Sequence, residues 1–388
     1  MIYFLTSLDE GEDLVEDKCV HELSRAIVNY RNAAVTTTIE NIENKSVLFI
    51  CSKDLKKRIA EIRSKNLRIV ICDPKVNSSA ELDLIENTIA YIVSSIEQQS
   101  CWSWTNKRLF ILPMFKMYTL PKSIDYSKDS KNKKEITILY HGNRVHFENF
   151  LARSHKIVKE LCEFCKFVTV YNFEKLGRYN PINYNLPKEK FRHVQYGHES
   201  LIKESARADL GLVPNLLPSK TNIWLDIVSL KIIRRKQMFE LFDHTLRFKT
   251  SSNSGRCHLF ALANIPVIAE ATPSSCNLIE NSVDGFIYMN NYDLKSVIHE
   301  AINLSFERRL EMSKKLRAKF RAKTKHAQTR IIDFLSDQIT IKTDESELAE
   351  AYRKEIITRK RRSLLGKIYL RAHYQLNPRL LLKRIVGY

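Results

Sequence analysis

Long hydrophobic runs are missing from this sequence, and so is a secretion-type N-terminus. None of its 388 residues belongs to an apolar run of about 18 or more, the length that a membrane-spanning helix needs. Residues 1–17 hold a short apolar run with no basic residue before it, and they then turn acidic. We therefore expect a buried first strand here, and neither a spanning helix nor a signal peptide.

Glycine and clustered cysteine are also scarce. With only 9 glycines in the chain, each glycine in a loop is expected to have a geometric task. Of the 8 cysteines only Cys162 and Cys165 lie close together, and no second pair accompanies them. This pattern favours reduced thiols, with the close pair on one helix face, in a cytosolic protein. An Asp-x-Asp motif is absent as well, so we expect no metal and no cofactor.

Acidic residues are outnumbered by basic ones. The net charge of +19, from 63 Lys and Arg against 44 Asp and Glu, predicts an anionic partner. That partner is a nucleic acid, an acidic membrane surface or a phosphorylated substrate. Zinc fingers, RNP-like aromatic motifs and other nucleic-acid modules are not recognisable. A nucleic-acid-binding protein with a basic tail is therefore the alternative interpretation, and the preferred one has no nucleic-acid partner.

The first 121 residues alternate short apolar runs with segments of helix length. The runs at 46–51, 67–72 and 90–95 are typical of buried strands. Their alternation with helices predicts a parallel α/β sheet that is covered on both faces. Residues 122–135 are polar, charged and without periodicity, as expected of a linker.

A second α/β unit is predicted after this linker, from a strand at 136–140 to a last helix at 306–325. The division that follows is an N-terminal Rossmann-like acceptor domain (1–121), a linker (122–135), a C-terminal nucleotide-sugar-binding domain (136–335) and a helical basic tail (336–388).

The first segment with chemical character is TILYHGNRVHF at 137–147. A buried strand ends there in a turn and continues into a helix, and ligands of open α/β sheets bind at such places. Gly142 allows close approach of a ligand to the backbone, and His141 and Asn143 can donate hydrogen bonds to it. An ordinary strand–helix turn is the alternative interpretation.

The second segment runs from 247 to 288 and contains a predicted helix start rich in hydroxyl and amide groups. Ser251, Ser252 and Asn253 are good N-cap residues, and the first turn of a helix offers unpaired N–H groups to an anion. The cations Lys249 and Arg256 flank this helix start, and Gly255 leaves room for a ligand. Together they predict a diphosphate site, and simple capping with solvated cations is the alternative interpretation.

These motifs resemble GT-B glycosyltransferases, in particular bacterial surface-polysaccharide transferases. The resemblance rests on "KTSSNSGR", "FALANIPVIAEATPSS" and "LIENSVDGFIY" at 249–288, with "YHG" at 140–142 and "ADLGLVP" at 208–214. It covers roughly residues 136–320 and implies two Rossmann-like domains that face a cleft. It also implies transfer of a sugar from a nucleotide sugar, with cations and a helix dipole neutralising the leaving diphosphate.

The sequence departs from that pattern at three positions. Asn264 stands where the family has glycine, and Ser252 and Phe260 occupy the places of the family's glutamate pair. Glu270, as a catalytic group, and Glu280, as a donor-binding group, are the remaining candidate carboxylates, each with a surface carboxylate as the alternative.

His21 is the candidate acceptor-side catalytic residue, because GT-B acceptor residues often lie on the first helix. A structural histidine is the alternative interpretation there.

The last residues, 350–388, combine eleven Lys or Arg and two Glu with interleaved Leu, Ile and Tyr. This composition predicts an amphipathic segment in which residues 353–388 bind an anionic inner-membrane surface. The other interpretation is a solvated helix that packs on the N-terminal domain, and we favour a mixture in which residues 306–335 pack and the tail binds lipid. We therefore expect a cytoplasmic, peripheral enzyme that glycosylates a glycan or lipid-linked acceptor for cell-surface polysaccharide, such as lipopolysaccharide. A non-catalytic scaffold of the same fold is a further alternative.

Overall fold

The computed structural model describes most of the chain, and all structural statements below concern the residues that it describes. These residues are 1–6, 20, 23, 33–74, 80–113, 135–215 and 255–336.

The N-terminal part contains one sheet of six parallel strands in the order β2-β1-β3-β4-β5-β6. The central strand β3 has the sequence VLFIC and is buried along its whole length, as expected for a strand covered on both faces. The sheet bounds are β1 Ile2–Leu5, β2 Ala33–Thr36, β3 Val47–Cys51, β4 Arg68–Cys72, β5 Thr88–Val93 and β6 Arg108–Ile111. The helices of this part are α1 Ser52–Ser64, α2 Ala80–Asp83 and α3 Ile96–Trp102.

The C-terminal part contains a second parallel sheet of six strands, in the order β12-β11-β10-β7-β8-β9. Its strands are β7 Ile136–His141, β8 Cys165–Tyr171, β9 Phe191–Gln195, β10 Leu210–Val213, β11 Val267–Glu270 and β12 Phe286–Tyr288. The helices that cover it are α4 Arg144–Leu161, α5 Phe173–Leu176, α6 His198–Arg207, α7 Gly255–Leu262, α8 Pro273–Leu278, α9 Asn291–Asn303 and α10 Phe306–Ser336.

The last described helix joins the two parts. Sequence periodicity predicts that it ends at residue 325, but α10 continues to Ser336. Its extra turns place Ala327 and Ile331 in the core that contains Phe4 and Phe49 of the first sheet. The extension therefore has a tertiary cause, since burial of these apolar side chains favours continuing the helix over ending it.

The predicted helix face shared by Cys162 and Cys165 is wrong. Helix α4 ends at Leu161, Cys162 is its C-cap residue, and Cys165 is the first residue of strand β8. Phe164 donates its N–H to the Leu161 carbonyl at 3.2 Å, which closes the turn between the two elements. Burial raises the pKa of Cys162 to about 11 and that of Cys165 to about 12, so both thiols stay protonated and inert.

The predicted α/β class, with a parallel sheet in each half of the chain, is confirmed. Strand β2 and helix α3 are additions that periodicity did not indicate, because both are short. Within the residues that the structure describes, no helix combines the length and apolar character that crossing a bilayer requires.

Candidate functional site

The strand order of the second sheet defines where a ligand fits. Strands β7, β8 and β9 run outward in one direction, whereas β10, β11 and β12 continue on the other side of β7. The order therefore reverses between β7 and β10. In open α/β sheets ligands bind beyond the carboxyl ends of the strands at such a switch point.

The turn after β7 lies at this switch point. Gly142 has a φ of +138°, a conformation that glycine adopts and other residues rarely do. Asn143 caps helix α4 by accepting the Val145 N–H at 3.1 Å on its side-chain oxygen, and the Tyr140 hydroxyl donates to the Asn143 carbonyl at 2.6 Å. His141 is buried with its ring edge against Phe260. The turn is thus fixed by local hydrogen bonds and backbone geometry.

Arg256 reaches the same place from helix α7. Its Nη1 donates to the Pro214 carbonyl, just after β10, at 3.1 Å. Its guanidinium carbon lies 5.9 Å from the centre of the Tyr140 ring. A Cβ built on Gly142 would lie 3.5 Å from Arg256 Cδ. The structure therefore brings Gly142 and Arg256 together at the switch point, where both were predicted to bind the donor.

Burial raises the pKa of Tyr140 to about 12, although the nearby Arg256 opposes this shift. Tyr140 therefore stays a neutral hydroxyl at physiological pH. Its ring lies under the Arg256 guanidinium and helps to hold that cation at the site.

Helix α7 is held in this position by a cap at its C-terminal end and by close packing of its inner face on β10. Asn264 has a φ of +58°, and the bonds from the Asn264 N–H to the Ala261 carbonyl and from the Ile265 N–H to the Phe260 carbonyl form a Schellman cap. Asparagine tolerates this left-handed position, which explains how it replaces the family's glycine. On the inner face, a Cβ on Gly211 would lie 2.4 Å from the Phe260 ring, so only glycine permits this close packing of α7 on β10.

Glu270, the last residue of β11, lies beside the switch point, and both oxygens of its carboxylate accept hydrogen bonds. Its carboxylate accepts from Arg153 Nη1 at 2.6 Å, from Arg153 Nη2 at 3.0 Å and from the Asn215 N–H at 2.8 Å. The carboxylate thus joins helix α4 to Asn215, two residues after the end of β10. In this arrangement Glu270 fixes the geometry of the edge, and its catalytic role stays a prediction.

Tyr288, at the end of β12, extends the polar group around Glu270. Its side chain is buried, and its hydroxyl has no hydrogen-bond partner among the described residues. Burial, with the negative charge of Glu270 as a further cause, raises the pKa of Tyr288 well above its usual value. A neutral hydroxyl with an unused donor and acceptor is therefore available next to the Glu270–Arg153 pair.

Glu280 lies elsewhere. Its side chain is exposed, and its backbone N–H donates to Asp284 in the loop that precedes β12. All strands of this sheet are parallel, so a loop that precedes a strand lies at the amino edge, opposite the switch point. The structure does not bring Glu280 to the predicted site.

Several predicted residues lie outside the described residues: His21, Lys249, Ser251, Ser252 and Asn253. Gly255, the next predicted donor-site residue along the chain, is the first residue of helix α7. The predicted roles of these side chains stay predictions.

Sequence reasoning missed Tyr140, Arg153 and Asn215. Tyr140 belongs to the quoted YHG motif and could have been found there. Arg153 and Asn215 gave no signal, because their partner Glu270 is 117 and 55 residues away along the chain.

Among the described residues, the carboxyl edges of the two sheets meet where helices α3 and α8 begin. Helix α3 follows β5 of the first sheet, and helix α8 follows β11 of the second. Glu97 on α3 accepts a hydrogen bond from the Ser274 N–H of α8 at 3.1 Å. The two sheets therefore face each other with their ligand-binding edges, as predicted.

Comparisons with known proteins are consistent with this architecture. No protein-family model and no curated protein sequence matches the chain. Among solved structures, Anabaena HepE in complex with UDP and glucose has 12% sequence identity over 86% of this chain and 99% of its own, with a TM-score of 0.55. Sucrose-phosphate synthase from Thermosynechococcus elongatus has 11% identity over 87% and 98%, with a TM-score of 0.54. TarM from S. aureus has 12% identity over 80% and 58%, with a TM-score of 0.51.

These neighbours are GT-B glycosyltransferases, and the chain has the GT-B fold. The fold that the motif resemblance implied is therefore confirmed.

The backbone of Gly142 yields a prediction. Gly142→Ala should lower the free energy of unfolding by about 1–3 kcal/mol, because φ near +138° is strained for a residue with a side chain. The new Cβ would also lie 3.0 Å from the Tyr140 hydroxyl, so donor use should fall as well. Denaturant unfolding and donor KM measure the two effects.

Gly197→Ala is the matched control, since Gly197 has an ordinary extended φ of −162° and its Cβ would make only a 3.5 Å contact. Equal behaviour of the two variants would contradict a special role for Gly142.

Proposed function

We propose that this protein is a glycosyltransferase that moves a sugar, of the hexose type, from a nucleotide sugar to a glycan or lipid-linked acceptor in cell-surface polysaccharide biosynthesis. One observation carries the proposal: Arg256, the start of helix α7 and the Gly142 turn converge on the switch point of the second sheet. Together they form a cationic, glycine-lined cradle at a helix start, which suits a diphosphate.

The chemistry of sugar transfer assigns a task to each part of this cradle. Negative charge develops on the leaving nucleoside diphosphate as the bond from the sugar to the phosphate oxygen breaks. Arg256 and the positive end of the α7 helix dipole stabilise that charge without a metal ion. Gly142 leaves room for the donor against the backbone, and His141 and Asn143 border the same turn.

The acceptor hydroxyl needs a proton acceptor in the cleft. His21 and Glu270 are the proposed candidates. Glu270 is engaged by Arg153 and Asn215, so it can serve as a base only if Arg153 moves away from it.

UDP-sugars are the first donors to test, because the similar structures of HepE and TarM contain UDP. The purified protein is incubated with UDP-, GDP- and CMP-sugars, and release of the nucleotide is measured with and without lipid-linked acceptors. We expect one class of nucleotide sugar to raise the melting temperature and to be turned over. Binding without turnover for every acceptor would favour the non-catalytic scaffold, and no binding at all would contradict the proposal.

Attachment to the cytoplasmic face of an anionic membrane is a further part of the proposal. Helix α10 carries ten Lys or Arg against three carboxylates, and Lys314, Arg321 and Lys325 are exposed on it. The chain continues into the basic residues 353–388, which lie outside the described residues. Each Lys or Arg near an anionic surface contributes about 1 kcal/mol, so several of them are enough for attachment.

Truncation after Asp344 should therefore release the protein from anionic vesicles. We expect a soluble short acceptor to be used almost normally and a lipid-linked acceptor to be used poorly. Vesicle sedimentation and turnover measure the two effects, after a cooperative melt has shown that the truncated protein is folded. A folded truncation that sediments as strongly as the full chain would show that the tail is not the anchor.

A further inference from the structure

The starts of helices α3 and α8 meet across the two halves of the chain. The Ile96 N–H donates to Ser274 Oγ at 2.9 Å, and the Ser274 N–H donates to Glu97 Oε1 at 3.1 Å. The Ser274 hydroxyl donates in turn to Glu97 Oε2. Residues that are 177 and 178 positions apart in sequence are thus joined by three hydrogen bonds.

Glu97 depends on the other half of the chain for its hydrogen bonds. Its side chain is only 6% exposed, and a buried carboxylate is costly unless hydrogen-bond donors surround it. Among the described residues, its carboxylate accepts only from the N–H and hydroxyl groups of Ser274. The bonds therefore exist only when the two sheets are arranged as in this structure.

Helix α8 connects this contact to the candidate donor site. Its first turn is fixed by a capping box between Thr272 and Ser275. Ser275 Oγ also donates to the Glu270 carbonyl at 2.7 Å. The Glu270 carboxylate in turn accepts from the Asn215 N–H, two residues after the end of β10. A chain of hydrogen bonds, linked through the backbone of Ser274–Ser275 and through Glu270 itself, thus runs from Glu97 to the switch point.

We propose that Glu97, which belongs to the N-terminal half, is a positioning residue that holds the first turn of α8. Through α8 it keeps the carboxyl ends of β10 and β11 in the geometry that binds the nucleotide sugar. The effect of Glu97 on donor binding rests on the proposed function. The physical core of the proposal, that Glu97 orders α8 from across the cleft, does not depend on that function. Glu97 does not touch the reacting atoms in this role.

Glu97→Gln tests the proposal with little change in volume. The amide keeps an acceptor for the Ser274 N–H, but it loses the negative charge that strengthens both bonds and places a donor against the Ser274 hydroxyl, which can then no longer donate to residue 97. We expect amide hydrogen exchange in residues 274–278 to become at least about tenfold faster. Small-angle scattering should show a larger radius of gyration, and the KM for the donor should rise about tenfold with a smaller change in kcat.

A second variant at the same contact and a control variant complete the test. Ser274→Ala removes the hydroxyl at the same contact, and its effects should not add to those of Glu97→Gln in the double variant, because both break one interaction. Glu86→Gln is the matched control: Glu86 is an exposed carboxylate of the same half of the chain. It should behave like the unmodified protein.

The outcomes separate this inference from the proposed function. Unchanged exchange in α8 and unchanged scattering in Glu97→Gln would overturn the inference, whether or not the protein transfers sugars. A lower melting temperature with an unchanged donor KM would also overturn it, because Glu97 would then be only a structural residue. Absence of turnover with every nucleotide sugar would contradict the proposed function but not the ordering of α8.

Discussion

Replacing Glu270 with alanine is expected to lower the free energy of unfolding by about 3 kcal/mol. The change leaves the Arg153 guanidinium without its carboxylate, and the Asn215 N–H without its acceptor. Arg153 keeps a side-chain exposure of 25%, so water can reach part of the guanidinium and limits the loss. Denaturant unfolding of the full chain measures the effect. Use of the nucleotide-sugar donor should fall too, because Arg153 and Asn215 are then no longer held together at the carboxyl ends of β10 and β11.

The matched variants for this prediction are Glu270→Gln and the double variant Arg153→Leu with Glu270→Leu. Glu270→Gln keeps the shape and should cost less, and the double variant should be less destabilised than the two single changes predict, since no buried charge is left alone. A loss below about 0.5 kcal/mol for Glu270→Ala would show that the ion pair is not structural. A drop of a hundredfold or more in kcat for Glu270→Gln, without loss of stability, would support the catalytic assignment instead.

Arg256→Ala is expected to reduce kcat/KM for the nucleotide sugar by about ten- to hundredfold, since a hydrogen bond from a charged group contributes about 1.5–3 kcal/mol. The loss arises because the cation over Tyr140 and beside Gly142 no longer meets the diphosphate. Stability should change little, because Arg256 is only partly buried and its bond goes to the Pro214 carbonyl. Initial rates over a range of donor concentrations measure the effect.

Lys203→Ala is the control for that prediction, because Lys203 is an exposed cation on α6 in the same half of the chain. Its donor kinetics should match those of the unmodified protein. Equal rates for Arg256→Ala and Lys203→Ala would remove Arg256 from the site. The same loss is expected for Lys249→Ala if the second predicted cation binds the diphosphate.

The sequence predicts most strands well because parallel sheets covered on both faces need nearly continuous apolar runs. The all-buried strand β3 is an example. Scarcity of glycine was informative as well. Gly142 has a φ that glycine favours, and Gly211 lies where any side chain would enter the Phe260 ring. Short elements such as β2 and α3 were missed, because a few residues do not establish a period.

The polar contacts of the site could not be predicted, for a different reason. Glu270 with Arg153, and Glu97 with Ser274, pair residues that are 117 and 177 positions apart. Such pairs leave no periodic pattern in a single sequence, because only the complete fold brings them together. The strand end and helix start predicted from the motif at 137–147, by contrast, are both present, since these two features are adjacent in the chain.

Hydrogen exchange with and without the preferred nucleotide sugar tests the central claim most directly. If the donor binds at the switch point between β7 and β10, amides at 141–146 and 255–260 should become protected when it is added. Protection should be weaker in Arg256→Ala at the same donor concentration. Protection confined to the N-terminal sheet, or no protection at the switch point by a nucleotide sugar that the protein turns over, would contradict the account.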